Sequence, residues 1–136
     1  MTAEIKRCTA TVTSDGLQQL VKVEVYGNDV SEDVEHHQPY GMAANVGTGT
    51  GLLVTVAGHQ FVIGLDNAGD RVKGLSPGEV CLWSKFGQRV HLKADGSAEY
   101  TATEHVFNGD VIADGISLKH HLHIGDSGGI TEEPIK

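Results

Sequence analysis

The chain is short of aromatic and basic residues. Its 136 residues include one tryptophan, three tyrosines and three phenylalanines, and 10 lysines and arginines stand against 18 acidic residues. The formal net charge of -8 argues against nucleic acid as a partner, because phosphate binding rests on basic side chains. It also argues against electrostatic docking on anionic lipid. A binder of single strands needs aromatic stacking platforms in a basic groove, and this composition supplies neither.

Cysteine and long apolar runs are scarce as well. Cys8 and Cys81 are the only cysteines and neither lies in a CxxC motif, which predicts reduced thiols in a protein made in the cytosol. No apolar stretch approaches the roughly 20 residues of a membrane-spanning helix. Residues 1–7 lack the apolar core of a signal peptide, so we do not expect Sec-type export.

Eighteen glycines and a period of two predict an all-β protein. Leu20–Tyr26 alternates between valine and polar residues, and Ile5–Val12 is a weaker strand candidate. The apolar runs 51–57 and 60–65 flank Gly58-His59, which predicts a hairpin with a two-residue turn. The acidic stretch between Gly27 and Thr50 reads as a long loop that could contain a short strand. We therefore predict a small antiparallel barrel over residues 1–78.

A second region follows the turn pair Pro77-Gly78. Its short segments are separated by glycine turns, and Gly109 and Gly115 are six residues apart, a spacing that suggests small β-helical coils. A region this short has too little core to fold by itself. Its apolar residues must therefore be buried against other copies of the chain. We predict a triple-stranded β-helix shaft over 79–107, an apex over 108–125 and a C-terminal tail over 126–136.

The apex ends in a histidine cluster. His121 and His123 are two residues apart, which in extended chain places both imidazoles on one side. One chain offers two such ligands, whereas three chains would offer six nitrogens, an octahedral set that suits iron or nickel. A site without an open coordination position is structural and not catalytic. An unbroken strand from Ile112 would instead turn His120 inward, so either the register shifts near Lys119 or His120 is itself a ligand.

Four segments occur in the order of a known family: Asp33-Val-Glu-His-His-Gln-Pro-Tyr-Gly41, Lys73-Gly-Leu-Ser-Pro-Gly-Glu-Val80, Asp110-Val-Ile-Ala-Asp-Gly-Ile-Ser-Leu-Lys119 and His121-Leu-His123. Together they resemble the Mu-type baseplate assembly protein V family, the central spike of contractile phage tails. The resemblance runs from about Leu20 to Gly125.

The resemblance implies an OB-like barrel, a short intertwined trimeric β-helix and a pointed apex. It implies a homotrimer in which His121 and His123 of each chain bind one iron ion, with calcium as a further ion whose ligands stay unassigned. It also implies a tail tube or hub protein as partner, transient contact with the host outer membrane, and a place at the baseplate tip of a virion assembled in the host cytoplasm. The expected role is mechanical and not enzymatic: piercing the outer membrane when the sheath contracts.

Two other classes of function stay open at this stage. An OB-type barrel could bind nucleic acid or oligosaccharide, and the cluster His120–His123 could serve a small metalloenzyme. Simpler interpretations stand beside the remaining motifs. His36 and His37 read as loop residues, and His59, His91 and His105 as isolated positions. Asp110 and Asp114 could help to hold calcium or could simply form turns, and Asp126-Ser-Gly-Gly129 resembles a protease nucleophile loop only superficially.

Overall fold

The computed structural model describes residues 3–26, 29–125 and 128–132, and all regular structure among them is β. These residues contain no helix that is long and apolar enough to cross a membrane. The chain divides into two compact units, Met1–Tyr100 and Thr101–Lys136. The prediction of an all-β protein is therefore confirmed for the described residues.

Five strands form a closed barrel in the order β1-β2-β3-β5-β4. They are β1 (Ala3–Asp15), β2 (Gln19–Val25), β3 (Asp29–His37), β4 (Thr48–Val56) and β5 (His59–Asp66). Four neighbouring pairs are antiparallel, whereas β3 and β5 run parallel, with Glu35 opposite Phe61 and His37 opposite Ile63. The prediction of an antiparallel barrel is wrong at this seam, where β5 runs in the same direction as β3.

The barrel has a small aliphatic core. Its buried residues lie at alternating inward positions: Cys8, Ala10, Val21, Val23, Val34, Leu53 and Val62. The apolar residues that alternate along β2 in the sequence are the ones that point into the core, since Val21 and Val23 are fully buried. Burial of the Cys8 side chain raises the pKa of its thiol.

The prediction placed a long loop with room for a short strand at 27–50, whereas strand β3 spans nine residues there. Its nine residues are mostly polar, so apolar alternation does not reveal it. The pairing with β2 shifts register between Val21 and Val23, and Asp33 has a φ of 53°. This bulge resets the strand, so that Val34 and His36 are buried while His37 is exposed.

The β4–β5 hairpin turns one residue earlier than predicted. Val56 pairs with His59, so Ala57 and Gly58 form the turn, with φ values of 50° and 83°. Positive φ at both positions is the requirement of a type I′ turn. Glycine meets this requirement without strain, whereas alanine does not.

A three-stranded sheet completes the first unit. It has the order β6-β7-β8, with β6 at Val80–Trp83, β7 at Arg89–Leu92 and β8 at Ala98–Thr101. One face is apolar and exposed: Val80 lies opposite Leu92, and Leu82 opposite Val90. On the other face Cys81 lies opposite His91. Arg89 and Lys93 both bind the Glu99 carboxylate, at 3.0 and 2.6 Å.

The second unit contains one short hairpin, β9 (Ile112–Ala113) and β10 (Ile116–Ser117), joined by Asp114 and Gly115. Ile124 and Ile130 form an isolated antiparallel bridge. None of its described residues is buried. Eight large apolar side chains are exposed instead: Val106, Phe107, Ile112, Ile116, Leu118, Leu122, Ile124 and Ile130.

Candidate metal site at the C-terminal histidines

The two predicted ligands lie next to each other. The ring centroids of His121 and His123 are 4.9 Å apart, and the rings are nearly perpendicular at 83°. The chain reaches them through a turn at residues 118–120 that follows the end of β10 at Ser117. The break in strand register expected near Lys119 is therefore present as this turn.

The ring of His121 is oriented by two backbone carbonyl groups. Its Nδ1 lies 3.0 Å from the carbonyl oxygen of Ser117 and 2.9 Å from that of Leu118. Carbonyl oxygens only accept hydrogen bonds, so Nδ1 carries the proton and donates it. In the neutral ring the lone pair is then on Nε2, which is the arrangement that a histidine ligand to a metal requires.

His120 occupies a different position in the turn. Its backbone N–H donates to the Ser117 hydroxyl at 2.8 Å, and the residue is exposed. The rings of His121 and His123 are in mutual contact. Within the described residues there is no group of three or more histidine, cysteine or carboxylate side chains placed to hold a metal. In the described part of one chain the cluster therefore offers a pair of imidazoles.

Asp110 supports the turn that carries the histidines. Its Oδ1 accepts from the backbone N–H of Val111 at 2.9 Å and of Lys119 at 3.0 Å, while Oδ2 accepts from the Ser117 hydroxyl. The bond from Ser117, followed by that from Lys119, lowers the pKa of Asp110. Both carboxylate oxygens thus serve the local fold. Asp114 has a φ of 48° and lies in the β9–β10 turn.

His36 and His37 lie on strand β3 and not in the predicted loop. His36 is buried, and its Nδ1 lies 2.6 Å from Gln19 Oε1, which also accepts from Gln38 Nε2 at 3.1 Å. Burial, with the charge of His37 as a second cause, lowers the pKa of His36. Gln19 Nε2 donates to Asp15 and to the carbonyl of Ala44. This network anchors the segment after β3, so the motif 33–41 has a structural role in the barrel.

His91, which sequence reasoning treated as isolated, belongs to a second network. Its Nε2 donates to Glu79 Oε2 at 3.2 Å, and both side chains are largely covered. Glu79 also accepts from the backbone N–H groups of Ala94 and Ser76, and these bonds lower its pKa. Glu79 thus connects the segment before β6 to the turn after β7. Glu79 and His91 are 12 residues apart in sequence, so no short motif predicts their contact.

The remaining motif is described only in part. In Asp126-Ser-Gly-Gly129, Asp126 and Ser127 lie outside the described residues, as do residues 133–136 of the predicted tail. Gly125 N–H donates to the Gly129 carbonyl at 2.6 Å. His123 N–H donates to the Thr131 hydroxyl at 2.9 Å. The described part of the tail therefore supports the backbone of the histidine pair.

Comparison with known proteins finds that this chain is similar to proteins of phage Mu and of a Mu-like prophage. The family model described as "Bacteriophage Mu Gp45, N-terminal" matches residues 7–69, which include all of β2 to β5 and most of β1. A relative named "Mu-like prophage FluMu protein gp45", from Haemophilus influenzae, is 26% identical over 98 residues. That alignment covers 69% of this chain and 54% of the relative, so the chain spans about half of the relative's length.

These matches confirm the resemblance of the chain to the Mu-type baseplate assembly protein V family that the sequence motifs indicate. The family model ends before the segments 73–80 and 110–123. The family-model match accordingly rests on the barrel and does not reach the histidine pair.

Proposed function

We propose that the protein is the central spike of a contractile phage or prophage tail, which pierces the host outer membrane. The observation that carries this proposal is the histidine pair in a unit that buries none of its described residues. Such a unit needs both partners and an additional source of stability. A homotrimer with one metal ion at its tip supplies both.

The barrel supports the proposal through its topology. A closed five-stranded barrel in which β3 pairs in parallel with β5 is the arrangement we assign to an OB-like domain. Its core is contained within one chain, since the residues of the core cluster come from β1 to β5. The barrel is therefore the part of the spike that can fold without its sister chains.

The exposed apolar residues support a trimer. In the second unit, side chains such as Ile112, Ile116 and Leu118 are more than half exposed. In the first unit, Val80, Leu82 and Leu92 form an exposed face of the β6–β8 sheet. Burial of apolar surface is worth roughly 25 cal/mol per Å², so three chains that pack these faces together gain what a single chain lacks. Intertwining of the chains over 79–107 is the form of packing we propose.

The metal site follows from the ligands. His121 and His123 of three chains would provide six imidazole nitrogens to one iron ion in an octahedral site. The fit is good on the side of the protein, because the Nδ1 proton of His121 is held by carbonyl groups and its Nε2 is left to bind. When bound, iron supplies coordination bonds that act as folding energy for the tip. Calcium has no assigned ligands, since the Asp110 oxygens already serve the turn.

Native mass spectrometry tests assembly and metal together. Protein purified without chelator and without a metal-charged column should have three times the mass of one 14.4 kDa chain, plus one iron. A metal-free monomer would contradict the proposal and would favour a binding module built on the barrel.

The variant His121→Ala/His123→Ala tests the ligands. We expect loss of iron with the trimer retained, because the ion holds only the tip whereas the apolar faces extend along both units. His120→Ala is the matched control, and it should keep one iron per trimer. Stoichiometric iron in the double variant would refute the assignment, and elemental analysis by plasma mass spectrometry gives the answer.

A further inference from the structure

One asparagine of this chain precedes a glycine in an exposed bend. Asn108 and Gly109 form this pair, and both residues are exposed and lie outside the strands. Within the described part of the chain, neither the Asn108 side chain nor the Gly109 N–H has a hydrogen-bond partner. A Cβ at Gly109 would meet no other atom within 4 Å. The backbone of this pair therefore lacks the contacts that would hold it in one conformation.

The other asparagines in the described part of the chain, Asn45 and Asn67, are held at both ends of the side-chain amide. In each of them, Oδ1 accepts a hydrogen bond from the backbone N–H two residues later at 2.9 Å. Nδ2 of Asn45 donates to Asp15 at 3.2 Å. Nδ2 of Asn67 donates to the Thr48 carbonyl at 3.3 Å. The residues that follow these two asparagines are valine and alanine, and a Cβ restricts the backbone of both. Of these three described asparagines, only Asn108 combines an amide without partners and a following glycine.

This pair has the atoms for an intramolecular reaction that releases ammonia. The backbone nitrogen of Gly109 forms a bond to Cγ of Asn108, the Cγ–Nδ2 bond breaks, and ammonia leaves with the proton that the backbone nitrogen gives up. The product is a cyclic imide. Water then opens the imide at either of its two carbonyl groups, which leaves aspartate or isoaspartate at position 108. Water is the only co-reactant. Glycine favours the first step, because it has no Cβ beside the attacking nitrogen and adopts many backbone conformations.

We propose that Asn108 is a site of spontaneous deamidation in the folded protein, and that its isoaspartate product loosens the turn that carries the C-terminal histidines. Isoaspartate adds a methylene group to the backbone just before Asp110. The Asp110 carboxylate holds the turn, because it accepts from the Lys119 N–H at 3.0 Å and from the Ser117 hydroxyl. A longer backbone before Asp110 displaces this carboxylate from its donors. The inference needs only the folded chain and does not depend on the proposed function.

The test incubates the full chain, in its assembled form as purified, in mildly alkaline buffer. Ion exchange follows the reaction, since each event makes the formal net charge of -8 more negative by one unit. Peptide mapping by mass spectrometry locates the change, and an isoaspartyl methyltransferase labels isoaspartate. Asn108 should react at least about tenfold faster than Asn45 or Asn67, because hydrogen bonds protect the other two until the barrel opens. Gly109→Ala should slow the reaction at Asn108, whereas the control Asn67→Gln should leave its rate unchanged.

Hydrogen exchange at the Lys119 N–H measures the effect on the turn. This N–H should exchange faster in the isoaspartate fraction of aged protein than in fresh protein, because its bond to Asp110 is weakened. Asn108→Asp is the matched control, since it adds the same charge without the extra methylene group. Exchange at Lys119 should therefore be slower in this variant than in the isoaspartate fraction.

Three results would overturn the inference. If Asn108 reacts in urea but stays intact in the folded protein, the bend at Asn108 and Gly109 is held closed and the site does not exist. Equal rates at Asn108 and Asn67 in the folded protein would show that neither the glycine nor the missing hydrogen bonds select the site. Unchanged exchange at Lys119 in the isoaspartate fraction would refute the effect on the histidine turn.

Discussion

Gly51 of β4 lies close to the backbone of β5, and Gly51→Ala should destabilise the barrel by steric conflict. A methyl group there would lie 2.9 Å from the Ile63 carbonyl oxygen and 3.0 Å from Leu65 Cδ2. The nearer atom belongs to the backbone, so it cannot move aside as a flexible side chain would. Overpacking of this kind costs about 1–3 kcal/mol, and the stiffer unfolded chain offsets about 0.4–1 kcal/mol of that.

Gly64 gives the contrasting case on the facing strand. A Cβ there would meet no atom within 4 Å, but the residue has a φ of 67°. Gly64→Ala therefore costs only the left-handed conformation, about 1–2 kcal/mol before the same offset. Gly64→Asn should recover part of this loss, because asparagine tolerates that conformation. At Gly51 a larger side chain should destabilise the barrel further, so Gly51→Val should cost more stability than Gly51→Ala.

Cys8 provides the assay, since it lies directly opposite Gly51 and is 3% exposed. In a Cys81→Ser background it is the single thiol, and its raised pKa keeps it unreactive until the barrel opens. A net loss of about 1.4 kcal/mol in Gly51→Ala would raise the rate of thiol modification about tenfold. If Cys8 stays as protected in Gly51→Ala as in the parent while Gly64→Ala reacts faster, the close approach of the two strands is refuted.

Three further changes test other parts of the chain. Ala57→Asn should stabilise the barrel by about 1 kcal/mol, because asparagine before Gly58 suits a type I′ turn; slower Cys8 modification is the readout, and an unchanged rate would contradict the turn. Gln19→Met should cost about 1–3 kcal/mol, because it leaves the buried His36 without its partner; an unchanged rate of Cys8 modification would show that the network is dispensable. Lys93, followed by Arg89, lowers the Glu99 pKa from 4.5 to about 2. The stabilising contribution of Glu99 is thus complete above about pH 4.5 and disappears as pH falls towards 2. Trp83 fluorescence should therefore report loosening of the β6–β8 sheet in that window. A Glu99→Gln variant with the same acid transition as the parent would contradict this.

The strands that could be predicted are those in which one face is buried and the other is not. β2 was predicted as 20–26 and lies at Gln19–Val25, because Val21 and Val23 alternate with charged residues. β3 was not predicted as a nine-residue strand because seven of its nine residues are polar, including the buried His36. The hydrogen-bond partner of the buried His36 is Gln19, 17 residues away in sequence, and no local pattern encodes that pairing. The parallel seam between β3 and β5 is non-local for the same reason.

The histidine pair was predictable from its spacing, but the way in which the chain presents it was not. Extended chain was expected at 121–123, and the turn at 118–120 together with Asp110 brings the rings together instead. The Nδ1 contacts of His121 depend on carbonyl groups three and four residues earlier. These contacts form because β10 ends at Ser117 and the chain turns there. They depend on the turn, and the HxH motif alone does not predict them.

The two units of this chain differ in what they need in order to fold. The barrel closes its sheet on itself, and closure removes the free strand edges through which β proteins associate. Its buried core lies within one chain, so the barrel has the means to fold by itself. In residues 101–125 and 128–132 the balance is reversed, because hydrogen bonds order the turns while the apolar side chains stay exposed. Under the proposed function, association and metal binding supply the stability that a core supplies elsewhere, and the order of the tip is then a consequence of assembly. A protein built in this way would keep its barrel folded at every stage and acquire a rigid tip only once the three chains have assembled.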